Sequence, residues 1–243
     1  NSGHAAQFGT LIHSLAQASA SGLDDANIST ALEAAWPALG IDSIWLAEQE
    51  KQRAVDAITN YAVWDAKESA TFATAGLEVG VDHIFTVDDL ADFGITTEDI
   101  ASVDATTVPV RVKGRIDRLE RTDAGQYVIV DFKTGKTVPS KKDTQDNAQL
   151  ALYQLALSGS DKDTTPVVKA KLVYLRPRSG SLGERDQQAL DADERKRWRL
   201  ALQTAASATS GPTFHACRND HCTQCVVQES CPLYSHSILA RKA

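Results

Sequence analysis

The sequence predicts an α/β domain with a mixed β-sheet flanked by helices. Two patterns carry that expectation. Apolar residues recur at helical spacing in several long segments, while a pair of β-rich runs is joined by a short glycine-containing gap. A third observation divides the chain: all four cysteines fall in the last thirty residues. The expected organisation is a helical segment over 1–75, a sheet-containing core over 76–210 and a Cys-rich segment over 211–243, forming one integrated domain.

Phe8, Leu11, Ile12 and Leu15 share one helical face, so Ala5 to Ala20 is expected to be an amphipathic helix. A loop at Asp24-Asp25 follows, then helices over Ile28–Leu39 and Ser43–Thr74, separated by Pro37 and Gly40. Leu77 to Val87 resembles a strand and leads into an acidic loop from Asp88 to Asp104. Val108–Arg121 and Gln126–Thr134 form a hairpin around Thr122-Asp123-Ala124-Gly125. A helix over Asp143–Ser158, a strand over Val167–Arg176 and a helix over Asp191–Ser207 complete the core. There is no internal repeat.

Composition excludes several classes. The 243 residues are 42% hydrophobic, which rules out a disordered chain, and no apolar run approaches the ~18 residues that span a bilayer. No membrane partner is expected, and no signal-peptide core is present. Met is absent altogether, so Asn1-Ser2 reads as a remnant of cloning and the chain as a fragment of a larger polypeptide. The formal charge of -7 argues against a nucleic-acid partner only if it is evenly spread. It is not. Residues 1–110 carry 3 basic and 17 acidic side chains, whereas 111–142 carry 9 basic and 4 acidic ones. A basic block therefore surrounds the hairpin.

That hairpin holds the chemistry. On a strand, Asp131 and Lys133 share one face while Phe132 points to the other. With the turn centred near Ala124, Asp117 falls opposite Asp131, where directly opposed Cβ atoms lie about 4.5–5.5 Å apart. Two such acids repel unless a cation sits between them, and Val128-Ile129-Val130 reads as buried strand. A hard divalent ion relieves that repulsion, with Lys133 adding positive charge beside it. Gly135-Lys136-Thr137 imitates the end of a phosphate-binding loop, but the earlier glycine that loop requires falls at Val130, so nucleotide hydrolysis is rejected.

In these residues the chain resembles the PD-(D/E)XK nucleases, in particular their RecB-like branch. Gly114-Arg115-Ile116-Asp117 and Asp131-Phe132-Lys133 match the core pattern. Gly9-Thr10-Leu11-Ile12-His13 is similar to the branch's Gly-x-x-x-His helix, and Gln149-Leu150-Ala151-Leu152-Tyr153 to its Gln-x-x-x-Tyr. The resemblance implies a restriction-endonuclease-like core. It implies that Asp117, Asp131 and His13, with the Phe132 carbonyl, hold Mg²⁺ or Mn²⁺. Asp117, Asp131 and Lys133 would be catalytic, and Gln149 and Tyr153 would contact DNA or brace the site. A further family acid on the preceding strand is expected at Asp82 or Glu78.

Cys217, Cys222, Cys225 and Cys231 are spaced C-x4-C-x2-C-x5-C. Such spacing away from a secretory context favours metal over disulfides, with Cys₄ zinc and a [4Fe–4S] cluster both open. A RecB-like subset carries an iron–sulfur cluster beside the nuclease core, with C-x2-C-x5-C supplying three ligands. The resemblance therefore implies Cys222, Cys225 and Cys231 as ligands. The fourth, usually upstream, is expected to be Cys217 or to lie outside the fragment. His215, His221 and His236 are nearby candidates for a zinc alternative.

The function so implied is an Mg²⁺-dependent, exonuclease-type DNA nuclease domain. Its setting would be a bacterial, cytoplasmic helicase–nuclease of the AddAB/AdnAB type, active in double-strand-break processing. Its expected partners are single-stranded DNA ends, helicase domains of the same polypeptide and a second helicase–nuclease subunit. The alternatives are a stand-alone nuclease of CRISPR-adaptation type and a catalytically silent DNA-binding module.

Overall fold

The structure, a computed structural model, describes residues 2–103, 105–159, 165–177, 182–210, 216–219 and 222–234. Five strands form one sheet in sequential order: β1 (Ala73–Phe85), β2 (Val110–Arg121), β3 (Tyr127–Lys133), β4 (Val167–Tyr174) and β5 (Gly183–Gln188). All neighbouring pairs are antiparallel except β3 and β4, which run parallel. A parallel pair needs a crossover, and α5 (Lys141–Gln145) and α6 (Ala148–Ser158) supply it. The sheet is thus mixed and flanked by helices, the expected α/β class.

One face of the sheet is covered by α1 (Ser2–Ala20), α2 (Asp25–Ala35) and α3 (Ile44–Glu68). Phe8, Ile12 and Leu15 of α1 pack with Tyr61 and Trp64 of α3 onto Val128, Val130 and Phe132 of β3. The apolar spacing read in α1 is the stripe that makes this contact. The opposite face buries Ile116, Leu119, Ile129, Ala170 and Leu172 under Leu150 and Ala156 of α6. β3 is the central strand, and Val128, Ile129 and Val130 are fully buried. A separate small core joins Leu90, Ile95 and Ile100 to Leu200 of α7 (Ala192–Ser210). Among the described residues no helix is long and apolar enough to cross a membrane.

Several boundaries differ from expectation for local reasons. The helix expected to reach Thr74 ends at Glu68, whose carbonyl accepts from the N–H groups of Thr71 and Phe72 and turns the chain into β1. The expected 143–158 helix is two helices, because Asn147 caps a new N-terminus by accepting from Leu150 N at 3.0 Å. The acidic loop contains a 3₁₀ turn (Asp88–Phe93) and α4 (Thr97–Ser102), the latter started by a Thr96/Asp99 capping box. β5 has no apolar alternation to announce it. Its Gln187 is fully buried and donates to the carbonyls of Thr144, Gln145 and Asn147, so hydrogen bonds secure it.

Candidate active site

β1 and β2 pair from Phe85↔Val110 through Val79↔Ile116, then resume at Leu77↔Arg118, passing over Glu78 and Asp117. Side chains on a regular strand alternate faces, so Ile116 and Leu119 should point oppositely. Both nevertheless pack in the α6-side core, while Arg118 reaches Asp65 of α3 and Ser69 just after it on the other face. The alternation therefore changes phase at Asp117. Glu78, across from it, has a φ of 50°, a left-handed conformation costly for a residue with a Cβ. This local irregularity aims both carboxylates at one place.

His13 of α1 meets them there. His13 Nδ1 and Asp117 Oδ1 are 3.2 Å apart, and Asp117 Oδ2 accepts from the Phe132 N–H at 2.7 Å. Ligand atoms of His13, Glu78 and Asp117 all lie within 4.8 Å of one another, the only such trio of His, Cys, Asp or Glu among the described residues. A cleft of about 10 Å³ opens beside them, lined by His13, Gln17, Glu78 and Asp117 among others. Burial works to lower the His13 pKa, but the hydrogen bond and charge of Asp117, with Asp131 and Glu78 behind it, leave it raised.

Asp131 lies in line with Asp117 one residue beyond the last β2–β3 pair, Arg118↔Val130. It is 3% exposed, and burial, reinforced by Asp117 but opposed by Lys133, pushes its pKa up to about 6. Its two oxygens are held separately. Oδ1 accepts from Gln149 Nε2 at 2.8 Å, and Oδ2 is ion-paired with Lys133 Nζ at 2.6 Å. Lys133 Nζ also donates to Gln149 Oε1 at 2.7 Å. Gln149 sits in the first turn of α6, next to the Asn147 cap, so the helix start sets its position. Lys133 O accepts from Leu175 N at the β4 side. The Phe132 carbonyl, alternating with it, points to the β2 side with its own N–H, towards Asp117.

Tyr153, one turn after Gln149, accepts from Gln149 Nε2 at 3.1 Å and donates to the Arg115 carbonyl at 2.7 Å. A Cβ on Gly114 would stand 2.8 Å from the Tyr153 ring, so the glycine is what lets the ring lie against β2. Half-buried, Tyr153 thus ties α6 to the ribbon. The Gly114 and Tyr153 motifs, distant in sequence, are two sides of one contact.

Asp82 and Glu78 lie in different places. Glu78 lies with His13 and Asp117 while also accepting from Arg115 at 3.3 Å, whereas Asp82 is paired with Arg111, accepting at 2.7 and 2.6 Å on the exposed ribbon away from them. The basic block is also more dispersed than its charge count suggests. Arg118 is 1% exposed and faces α3, and only Arg111, Lys113 and Arg115 alternate along the open side of β2. The phosphate-loop reading stays excluded, since β3 runs into a loop over 134–140 and not directly into a helix.

The sequence does not reveal a second charged cluster behind the site. Arg118 pairs with Asp65 and lies 3.0 Å from Glu120, while Lys171 pairs with Glu68. Arg118, Glu120, Glu68 and Lys171 are all buried. Burial, reinforced by Glu68 but opposed by Arg118 and Lys171, pushes the Glu120 pKa up to about 8. Three of these four residues lie on strands where alternation predicts apolar side chains, and a charge facing inward gives no periodic signal.

None of the four cysteines is in a disulfide. Cys222 opens a 3₁₀ turn (Cys222–Gln224) with Cys225 just after it, and a second turn (Gln228–Ser230) precedes Cys231. Asn219 N donates to Cys222 Sγ at 3.2 Å. His215, His221 and His236 lie outside the described residues.

The sequence profile of the PD-(D/E)XK nuclease superfamily matches residues 1–232, and the chain belongs to that superfamily. No curated protein matches it. Among solved structures, "Crystal structure of SSO0001" aligns with 16% identity over 93% of this chain and 84% of that one, at a TM-score of 0.39.

Proposed function

From that membership we propose that the chain is an Mg²⁺-dependent nuclease for single-stranded DNA ends, acting as an exonuclease within a bacterial helicase–nuclease that processes double-strand breaks. The observation that carries the proposal is the trio of His13, Glu78 and Asp117 beside the Asp131–Lys133–Gln149 triangle. Carboxylates, a backbone carbonyl and one imidazole are a donor set suited to Mg²⁺ or Mn²⁺. His13, Glu78, Asp117, Asp131 and the Phe132 carbonyl would hold the ion. A bound ion of this kind supplies Lewis-acid stabilisation of the phosphate and a water of lowered pKa.

The chain's own residues do the rest. Asp117 ties β2 to β3 through the Phe132 N–H and orients the His13 ring. Gln149 grips both Asp131 and Lys133, so the carboxylate and ammonium keep a fixed separation. Lys133 thereby keeps a positive charge where a scissile phosphate accumulates negative charge. Burial on the α1 side and under α6 limits water around this centre, which strengthens each charge interaction.

The test is cleavage of an end-labelled oligodeoxynucleotide in Mg²⁺, with EDTA and a circular single strand as controls. The expected result is cleavage lost in EDTA, in Asp131→Ala and in Lys133→Ala, with the circle resistant. If wild type and variants cut equally little while still binding, the chain is a silent DNA-binding module.

The proposal extends to the cysteines as a [4Fe–4S] site with Cys217, Cys222, Cys225 and Cys231 as ligands. The C-x4-C-x2-C-x5-C spacing and the two short turns that place Cys222, Cys225 and Cys231, with a backbone N–H already directed at Cys222 Sγ, support it. Metal analysis and visible absorbance of anaerobically purified protein separate iron–sulfur from zinc.

A further inference from the structure

A cavity of about 610 Å³ lies beside the proposed site, and none of the motif residues lines it. It opens between the N-terminal half of α1, the segment joining the Trp36–Leu39 turn to α3, and the loop Thr134–Lys136 that continues directly from Lys133. Its volume is in the range of sites that hold a small organic ligand. Phe8, Leu39, Ile41 and Leu46 give it an apolar wall.

The charged groups are arranged around that wall. The Arg176 guanidinium lies 4.6 Å from the Phe8 ring centroid and is anchored by Glu50 at 3.0 Å. Glu50 is also paired with Arg53, so its charge is offset from two sides. Asp42 is the other acid of the lining. Lys136 is exposed and makes no ion pair among the described residues. A flat cation held against an aromatic ring, beside apolar surface and with an uncommitted ammonium at the rim, suits a nucleobase and its phosphate.

Position supports the same ligand. Phe8 and His13 are five residues apart on one helix, about 7–8 Å along its axis. That is the rise of about two stacked nucleotides of one strand. Thr134 touches α1 between them, with its Oγ1 at 3.4 Å from where a Gly9 Cβ would be. The cavity and the trio therefore lie at successive levels along α1.

We propose that this cavity is a nucleotide subsite, which receives a base of the DNA single strand against Arg176 and its phosphate at Lys136, about two nucleotides from the bond cut at Asp117 and Asp131. The inference rests on the nuclease reading for its register, but its binding step needs no cleavage.

The test uses an oligothymidylate carrying 2-aminopurine at successive positions, titrated with the full chain in EDTA, beside a Mg²⁺ cleavage assay. Ala5→Trp fills the cavity from an exposed position of α1, and Lys136→Glu reverses the rim charge. The expected result is fluorescence change confined to a base near the cut, with both variants binding about tenfold or more weakly. Their melting curves should match the parent's. Cleavage by the parent with unaltered binding in both variants overturns the subsite and leaves the nuclease reading standing. Binding without cleavage, weakened in both variants, retains the subsite and overturns the nuclease reading. A parent that neither binds nor cuts overturns both.

Discussion

Two charged clusters lie back to back on the same strands, and they differ in what surrounds them. Asp117, Asp131 and Lys133 look out between α1 and α6, with Lys133 and His13 about 30% exposed. Arg118, Glu120 and Lys171 lie under the C-terminal end of α3 and are almost completely buried. Adjacent residues 117 and 118 thus belong to opposite environments. In the sealed cluster, charges are paired with one another, and their role ends with the fold. In the open one, three acids and a histidine crowd together against the Lys133 ammonium and the exposed Arg115 guanidinium, which pairs with Glu78 at 3.3 Å, leaving an acidic surplus that favours a cation from solution.

The sharpest test of that contrast is a matched pair of substitutions. Asp117→Asn should reduce Mg²⁺-dependent cleavage by about 10²–10³-fold or more, judged from the usual loss of a transition-state-stabilising group, with little change in chemical denaturation. Lys171→Met should do the reverse in kind, costing about 3–5 kcal/mol of stability by leaving Glu68 buried and unpaired. Urea titrations and single-turnover cleavage on the same preparations measure both. Equal stability losses in the two variants would remove the distinction.

Glu120 sharpens the comparison through pH. Its folded pKa of about 8 lies above the ordinary 4.5, so the folded state binds more protons than the unfolded one between those values. Stability from this group is full at low pH and is lost as pH rises towards 8. Glu120→Gln keeps the protonated shape without the penalty. It should gain stability on the order of 1–2 kcal/mol over the parent at pH 8, and much less at pH 5. Thermal melts at the two pH values measure the difference.

A smaller effect is expected at the phase change itself. Glu78→Gly relieves the positive φ and should raise stability by about 1 kcal/mol while weakening cleavage. Asp82→Asn, on the exposed ribbon, should leave cleavage within about twofold and stability within about 0.5 kcal/mol. If Asp82→Asn were the more damaging of the two for cleavage, the trio would be wrongly assigned.

Much of the fold was legible because local signals agree. The stripe of Phe8, Ile12 and Leu15, the Thr122–Gly125 turn and the period of β3 each indicate their own element. The short turn also sets the β2–β3 register, which is why Asp117 could be aligned with Asp131 from spacing. No short turn links β1 to β2. The connection over 86–109 is too long to set a register, so Asp82 and Glu78 could not be separated along the chain. β5 was not expected because Gln187 and its neighbours replace apolar alternation with hydrogen bonds.

The sequence by itself determined the α/β class, the helix–hairpin–helix order of the motifs and the shared face of Asp131 and Lys133, all consequences of chain-local periodicity. Tertiary structure alone decided that Asp117 and Glu78 break alternation to meet His13, that Arg118 turns away from its neighbour into a sealed network, and that Gly114 makes room for Tyr153. Those outcomes depend on contacts between residues 39 to 104 positions apart, and no local period encodes which of two faces a strand will present after its alternation changes phase.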